Sequence, residues 1–238
     1  LQALLHANGN YYDYLKTVFR NTNEKFNSEL FALAKPDGKD FYIEDEIIKK
    51  ILESLTKIDF RRLSVHVIGE VYEDYLGELL SKSRGGNIKV DEKKAHKQKK
   101  SQGIYYTPDY IVDYIVRNTV GEKLKKCKTP KEIENIKVLD PACGSGSFLI
   151  RVFDEFLEHY KRVGEGGLFE FDLRKKILTK NIFGVDLDQK AVEIAKLNLM
   201  IKALSGISWQ DLTGKKLIPS LKLNIRCGNS LIGGEMFN

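Results

Sequence analysis

The most constraining feature of the sequence is a loop, Asp140–Ser147, that reads Asp-Pro-Ala-Cys-Gly-Ser-Gly-Ser. The residues before it, Asn135–Asp140, predict a short strand, and Phe148–Tyr160 predict a helix. Gly144 and Gly146 let the backbone turn sharply and leave room for a ligand to lie against it. The helix after the loop presents unpaired N–H groups and the positive end of its dipole, which favours a carboxylate or a phosphate.

The rest of the C-terminal region alternates between strand and helix patterns. Strands are predicted at Ile182–Asp186 and Leu221–Arg226, and helices at Leu168–Leu178 and Ala191–Leu204. This alternation is typical of parallel βαβ units, which predicts an α/β fold with a doubly wound sheet and right-handed crossovers.

The helix that opens this region follows a turn-like sequence. Thr107 is a suitable N-cap residue, and Pro108 suits the first helical turn. We therefore expect Thr107 to cap this helix.

The N-terminal part of the chain has a helical pattern. Ile68–Leu80 shows apolar residues at the i, i+3, i+4 spacing of an amphipathic helix, and Tyr11–Phe31 and Glu44–Leu55 show weaker versions. Residues 85–102 include six lysines and almost no apolar residues, which favours a solvated linker; contact with phosphates is the alternative. We predict three parts: a helical domain at 1–84, a basic linker at 85–102, and an α/β domain at 103–238.

Composition limits the cellular setting and the ligands. The net charge of +6 permits a polyanionic partner without demanding one. The three cysteines form no Cys-x-x-Cys pair, which predicts a reducing, cytoplasmic setting with no metal site. No apolar run approaches the roughly 18–20 residues of a membrane helix, so no membrane association is expected. Because the chain begins at Leu1, we expect it to start inside a longer protein.

Three kinds of nucleotide site are compatible with a glycine loop between strand and helix. The sequence lacks the Gly-x-x-x-x-Gly-Lys-Ser/Thr string of a P-loop, and Leu149 stands where a dinucleotide fold requires its third glycine. An S-adenosylmethionine site needs an acid for the ammonium group and another for the ribose diol, and Asp140 and Asp186 end neighbouring strands. A turn-stabilising role is the alternative for Asp186, and Asp188 is expected to cap the next helix.

These strings resemble the adenine-specific amino-methyltransferases of DNA, in particular the large single-chain enzymes of restriction–modification systems. The resemblance covers about residues 103–231, and residues 59–80 are similar to the helical region ahead of the catalytic domain in those enzymes. It rests on four stretches: Gly103–Pro108, Val138–Phe148, Ile182–Asp188 and Ile225–Leu231.

The resemblance implies an S-adenosyl-L-methionine site in a partial, Rossmann-like methyltransferase domain. The residues bordering the methionine and sulfonium end of the cofactor are Tyr106, Thr107 and Pro108. The alternative for Tyr106 is a role as a core aromatic only. The residues holding the amino-acid moiety are Asp140, Ala142, Gly144, Ser145, Gly146 and Ser147. The residues contacting the nucleoside are Asp186 at the ribose, Leu187 against adenine, and Asn229 with Ser230 at the adenine edge. Cys143 is expected to be a packing residue.

The family's catalytic string, Asn/Asp-Pro-Pro-aromatic on the fourth strand, is absent from the sequence. We therefore expect no catalytic residue in this chain, weak cofactor binding and no DNA methylation by the chain alone. Without a fourth strand, the outer edge of the first strand is expected to be covered by the N-terminal helices, by another chain, or by residues that lie outside this sequence. The expected partners are double-stranded DNA and a specificity domain or subunit. The alternatives are a methyltransferase of RNA or protein, and a noncatalytic assembly subunit.

Overall fold

A computed structural model describes residues 10–26, 43–59, 63, 67–72, 107–164, 170–207 and 219–232. The chain divides into two compact units: Leu1–Ser64 with Leu212–Ser220, and Val65–Asp211 with Leu221–Asn238. The predicted linker 85–102 and Tyr106 lie outside the described residues.

The described part of the first unit is a pair of helices, α1 (Tyr11–Phe26) and α2 (Asp45–Leu55). Ile48 and Leu52, one turn apart on α2, pack with Tyr11 in a small core. The Asp45 carboxylate accepts a hydrogen bond of 2.8 Å from the Tyr12 amide, which joins the first turns of the two helices. Both helix predictions are confirmed over these residues.

In the part of the second unit that the structure describes, there is a three-stranded parallel sheet in the order β1 (Val138–Asp140), β2 (Ile182–Asp186) and β3 (Ile225–Cys227). The predicted α/β class and the parallel strand pairing are confirmed. Because β2 lies in the middle, its carboxyl end is flanked by the ends of both neighbours. Within the described ranges no strand pairs with the outer edge of β1, where Leu139 is 59% exposed.

Helices pack around this sheet. The described ones are α3 (Asp109–Val116), α4 (Pro130–Glu134), α5 (Ser147–Arg162), α6 (Glu170–Lys176) and α7 (Gln189–Leu204). Helix α3 continues through a π-helical turn, Arg117–Gly121, and a last turn, Glu122–Leu124, while α6 continues into the π-helical turn Ile177–Asn181. None of the helices in the described ranges is long and apolar enough to cross a membrane.

Helix α5 forms the centre of the core. Leu149, Phe153, Phe156 and Tyr160 recur at helical spacing along α5, and each is fully buried. The helix packs against β2, α3 and α7. The loop that precedes it is therefore held on a rigid support.

Three predicted boundaries are wrong. Strand β1 begins at Val138 because α4 ends at Glu134, and Asn135 forms its C-cap. Strand β3 begins at Ile225 because the Ile225 and Asn224 amides both bond the Leu221 carbonyl in a turn. Thr107 is not the N-cap of α3: Pro108 occupies that position without a side-chain cap.

Two buried asparagines fix the amino ends of the strands. The Asn181 amide nitrogen donates to the carbonyls of Ile133 (3.0 Å) and Ile136 (2.7 Å), just before β1. The Asn224 amide nitrogen donates to the Ile182 carbonyl at the start of β2 (2.9 Å). These bonds satisfy backbone groups that the short strands leave without a ladder partner.

Replacing Asn181 by Ala should lower the free energy of unfolding by about 3 kcal/mol, because buried carbonyls lose their donor. Chemical denaturation measures this loss. The control is Asn118→Ala, which removes an exposed carboxamide that bonds the Tyr114 carbonyl, and it should change the value by no more than about 0.5 kcal/mol. Equal effects from both substitutions would contradict the stabilising role of the Asn181 hydrogen bonds.

Candidate functional site

Asp186, at the carboxyl end of the central strand, ties three loops together. One carboxylate oxygen accepts the Gly144 amide of the first loop at 2.8 Å. The other accepts the Asp188 amide of the second loop at 2.9 Å. The Asp186 backbone carbonyl accepts the Gly228 amide of the third loop at 2.9 Å. The turn-stabilising role considered for Asp186 is thus confirmed, and it brings the three strand ends into one place.

The first loop depends on two glycines with left-handed backbone. Gly144 has a φ of 52° and Gly146 a φ of 93°, a region where other residues are strained. A Cβ on Gly146 would lie 3.2 Å from the Ala195 Cβ of α7, so this glycine also permits close packing. A Cβ on Gly144 would meet nothing within 4 Å. The loop therefore has a packed side at Gly146 and an open side at Gly144.

Some of the amides in this loop are used within the protein. The Gly144 amide bonds Asp186, and the Gly146 amide bonds the Cys143 carbonyl at 2.8 Å. The first bond of helix α5 runs from the Ile150 amide to the Gly146 carbonyl, and Gly146 has no capping side chain. The amides of the first turn, beginning with Ser147, therefore have no helical acceptor and lie at the positive end of the dipole.

Asp140 and Asp186 place two negative charges beside this loop. The Ala142 amide donates to Asp140 at 3.1 Å. Burial raises the pKa of Asp140, and the negative charge of Asp186 raises it further, against the lowering effect of the Ala142 hydrogen bond. The ion pairs of the described residues include neither acid. The site therefore favours a cation.

Cys143 lies close to the two acids and has 6% of its surface exposed. Burial and the charges of Asp140 and Asp186 raise the pKa of its thiol to about 12, so it stays protonated near neutral pH. A Cβ on Gly184 would lie 3.0 Å from the Cys143 sulfur. Cys143 thus has the environment of the expected packing residue.

The second and third loops present exposed side chains near Asp186. Leu187 is the next residue in the chain and is 73% exposed. Asn229 and Ser230 come directly after Gly228 and are exposed as well, and the Asn229 side-chain oxygen accepts the Leu231 amide at 2.9 Å. The predicted capping role of Asp188 is confirmed, since one of its carboxylate oxygens accepts the Lys190 amide.

Thr107 and Pro108 lie at the end of the domain where the first loop lies. Asp113 of α3 bonds Arg151 of α5, and further along both helices the Leu124 carbonyl accepts from Arg162. Because the partners advance in the same direction, the two helices run parallel. Their amino ends therefore point the same way, with Thr107 and Pro108 ahead of one and the glycine loop ahead of the other.

Two contacts of one helical segment were missed by sequence reasoning. Residues 67–72 are helical, and a Cβ on Gly69 would lie 2.6 Å from the Ser145 hydroxyl. The Tyr72 hydroxyl donates to an Asp188 carboxylate oxygen at 2.5 Å. The amphipathic pattern from Ile68 onward indicated a buried face. It could not identify the partner, because Tyr72 and Asp188 are 116 positions apart.

Comparison with known proteins identifies the family. The family model described as N-6 DNA Methylase matches residues 90–217, more than half of the chain. The chain belongs to the N-6 DNA methylase family. The predicted resemblance to the adenine-specific methyltransferases of restriction–modification systems is confirmed.

Individual relatives support this assignment. The type II restriction enzyme and methyltransferase RM.Eco57I of Escherichia coli is 32% identical over 90% of this chain and 23% of its own length. RM.MjaORFECS2P of Methanocaldococcus jannaschii is 31% identical over 94% of this chain and 24% of its own length. The adenine-specific methyltransferase BrxX of Escherichia coli is 28% identical over 67% of this chain and 15% of its own length. The chain thus spans about a quarter of the length of the first two.

The site has features that suit S-adenosylmethionine, which methyltransferases of this family generally use. The open side of Gly144 leaves room for a ligand against the backbone. Asp140 and Asp186 are negative charges without an ion-pair partner among the described residues, and the exposed Leu187 offers an apolar surface nearby. These groups therefore suit a molecule with a cationic end and a flat ring.

Substituting the two glycines separately should distinguish their roles. Gly146→Ala should lower the free energy of unfolding by about 2 kcal/mol, because left-handed strain adds to crowding against Ala195. Gly144→Ala should lower it by about 1 kcal/mol through the backbone alone. Gly144→Ala should nevertheless weaken S-adenosylmethionine binding more, because its Cβ enters the open side.

Denaturation and calorimetric titration measure the two effects on each variant. The opposite order, with Gly144→Ala the less stable variant and Gly146→Ala the weaker binder, would contradict the assignment of packed and open sides.

Proposed function

We propose that this chain is the S-adenosylmethionine-binding part of a site-specific adenine DNA methyltransferase in a restriction–modification system. The observation that carries the proposal is the pair of acids, Asp140 and Asp186, at the ends of adjacent parallel strands. The glycine loop between β1 and α5 is bonded to the second of them. Ligands of open parallel sheets bind beyond the carboxyl ends of the strands, which is where these residues lie.

The first loop is proposed to hold the methionine end of the cofactor. Asp140 would accept the ammonium group, which relieves the repulsion between its charge and that of Asp186. The first-turn amides of α5, beginning with Ser147, would bind the carboxylate. The remaining residues of this part are Ala142, Gly144, Ser145 and Gly146 in the loop, with Tyr106, Thr107 and Pro108 at its border.

The second and third loops are proposed to hold the nucleoside. Each Asp186 carboxylate oxygen has a second lone pair beyond its bond to a backbone amide, which leaves acceptors for the ribose hydroxyls. Leu187 would pack against the adenine ring. Because the Asn229 oxygen is bonded to Leu231, its amide nitrogen would donate to the adenine edge, with Ser230 beside it.

The chain's own residues would bind and orient the cofactor. The Asn/Asp-Pro-Pro-aromatic string that holds the target amine would come from elsewhere in the protein. The bound sulfonium supplies an electrophilic methyl group. Adenine's exocyclic amine is a poor nucleophile, and an enzyme cannot reach it inside a duplex. The base would therefore be flipped out of double-stranded DNA and its amine held by hydrogen bonds. A specificity domain or subunit would choose the DNA site.

We also propose an architecture and a cellular setting for the chain. The three described strands would form one half of a doubly wound, Rossmann-like sheet, preceded by a helical region at 1–84, whose residues 67–72 belong to the same unit as the sheet, and by a basic linker at 85–102. The three cysteines are unpaired, which favours a reducing, cytoplasmic location.

Asp140→Asn tests the proposal directly. Calorimetric titration should show S-adenosylmethionine binding to the wild-type chain and roughly 10- to 100-fold weaker binding to the variant, because a charge-assisted bond to the ammonium group is lost. The control, Asp154→Asn, removes a half-exposed acid that pairs with Lys202 and should leave the affinity unchanged. Equal affinity of the wild type and Asp140→Asn would contradict the site.

The same substitution should raise the stability of the free chain. Because the folded-state pKa of Asp140 is raised, the folded chain binds a proton more tightly than the unfolded chain does. The ionised carboxylate therefore destabilises the fold at pH 7, and this penalty fades as pH falls through the raised pKa toward 3.8. Melting temperatures should be higher for Asp140→Asn at pH 7 and converge at acidic pH; a lower melting temperature at pH 7 would contradict the electrostatic argument.

A further inference from the structure

The helical residues 67–72 contact two of the three loops of the site. Gly69 packs against Ser145 of the first loop, and Tyr72 bonds Asp188 of the second. Gly69 and Tyr72 are buried and lie on one face of the segment, while Glu70 and Val71 are exposed. All of these residues belong to the second unit. The segment therefore touches both halves of the proposed ligand site.

Gly69 fixes the distance between the segment and the first loop. A Cβ at this position would lie 2.6 Å from the Ser145 hydroxyl oxygen and 2.9 Å from the Ser145 Cβ. Real Cβ atoms do not approach so closely, so any larger residue would push the loop away. Ser145 is also held from α7, because the Asn198 amide nitrogen donates to the Ser145 carbonyl at 3.0 Å. Ser145 is thus held by both elements, and its neighbours Gly144 and Gly146 are constrained with it.

Tyr72 fixes the second loop through a chain of hydrogen bonds. Its hydroxyl donates to one carboxylate oxygen of Asp188, and the other oxygen accepts the Lys190 amide. With its side chain held at both oxygens, Asp188 directs its own backbone amide to Asp186. Burial, the Asp188 hydrogen bond and its negative charge raise the pKa of Tyr72, so the hydroxyl remains a donor.

We propose that residues 67–72 are a positioning element of the cofactor site, in which Gly69 sets the first loop and Tyr72 sets the Asp186–Asp188 turn. This inference rests on the proposed function. It adds to the site a segment outside the strings Val138–Phe148 and Ile182–Asp188. Because coupling is reciprocal, bound cofactor stabilises the docking of residues 67–72 as much as that docking favours binding.

Tyr72→Phe removes only the hydroxyl. Calorimetry should show roughly 3- to 10-fold weaker S-adenosylmethionine binding, the effect of losing one hydrogen bond to a charged group that orients the ribose acceptor. The control is Tyr160→Phe, which removes a buried hydroxyl that donates to Asn181 at the amino end of β2. This control should bind like the wild type.

Gly69→Ala tests the other contact. It should weaken binding at least as much as Tyr72→Phe, because the loop must shift. The matched control is Gly121→Ala, whose Cβ would also be crowded, at 2.8 Å from a Glu155 carboxylate oxygen, but in the α3 extension. Both glycine variants should lose stability, and only Gly69→Ala should also lose affinity.

Hydrogen exchange on the wild-type chain supplies a readout that does not depend on any variant folding. S-adenosylmethionine should slow exchange of the amides of residues 69–72. Wild-type binding with unchanged exchange there, and unchanged affinity in each folded variant, would overturn the positioning role while leaving the proposed function intact. Absence of binding to the wild type would instead overturn the proposed function and this inference with it.

Discussion

The arrangement at the carboxyl edge of the sheet depends on Asp186. Its two carboxylate oxygens and its backbone carbonyl bond amides from three loops that are far apart in sequence. Strands of three to five residues have few ladder bonds with which to fix the loops at their ends. One acid at the end of the central strand supplies that order, because it holds all three loops through its own hydrogen bonds.

The same arrangement places two acids close together, and their repulsion would be relieved by a cationic ligand. Asp140 is partly buried beside Asp186, and no ion pair of the described residues neutralises either acid. Elsewhere in the second unit, charges are paired: Arg151 bonds both Asp113 and Glu155, and Arg174 bonds Glu170. The paired acids, such as Glu155 and Glu170, stabilise the chain through their ion pairs. Asp140 in its ionised form instead lowers the stability of the chain. A partly buried acid with a raised pKa and no neutralising partner is typical of functional sites.

The sequence was sufficient to predict three strands with parallel pairing and the glycine loop, because each strand and the loop is encoded in a short stretch. It also predicted the cap at Asp188, whose partner is two residues away. It misplaced the start of β3, where a turn from Leu221 competes with the strand. Sequence pattern could not reveal the Gly69–Ser145 and Tyr72–Asp188 contacts, because a helical period shows that a face is buried and not which residues cover it.

A crystal structure of the 238-residue chain grown with S-adenosylhomocysteine, the demethylated product, would test the account most directly. We expect the product's amino group beside Asp140, its ribose hydroxyls on Asp186 and its base against Leu187, with the three loops as described. Density for the product at another surface, or a crevice filled by the chain's own side chains, would contradict it.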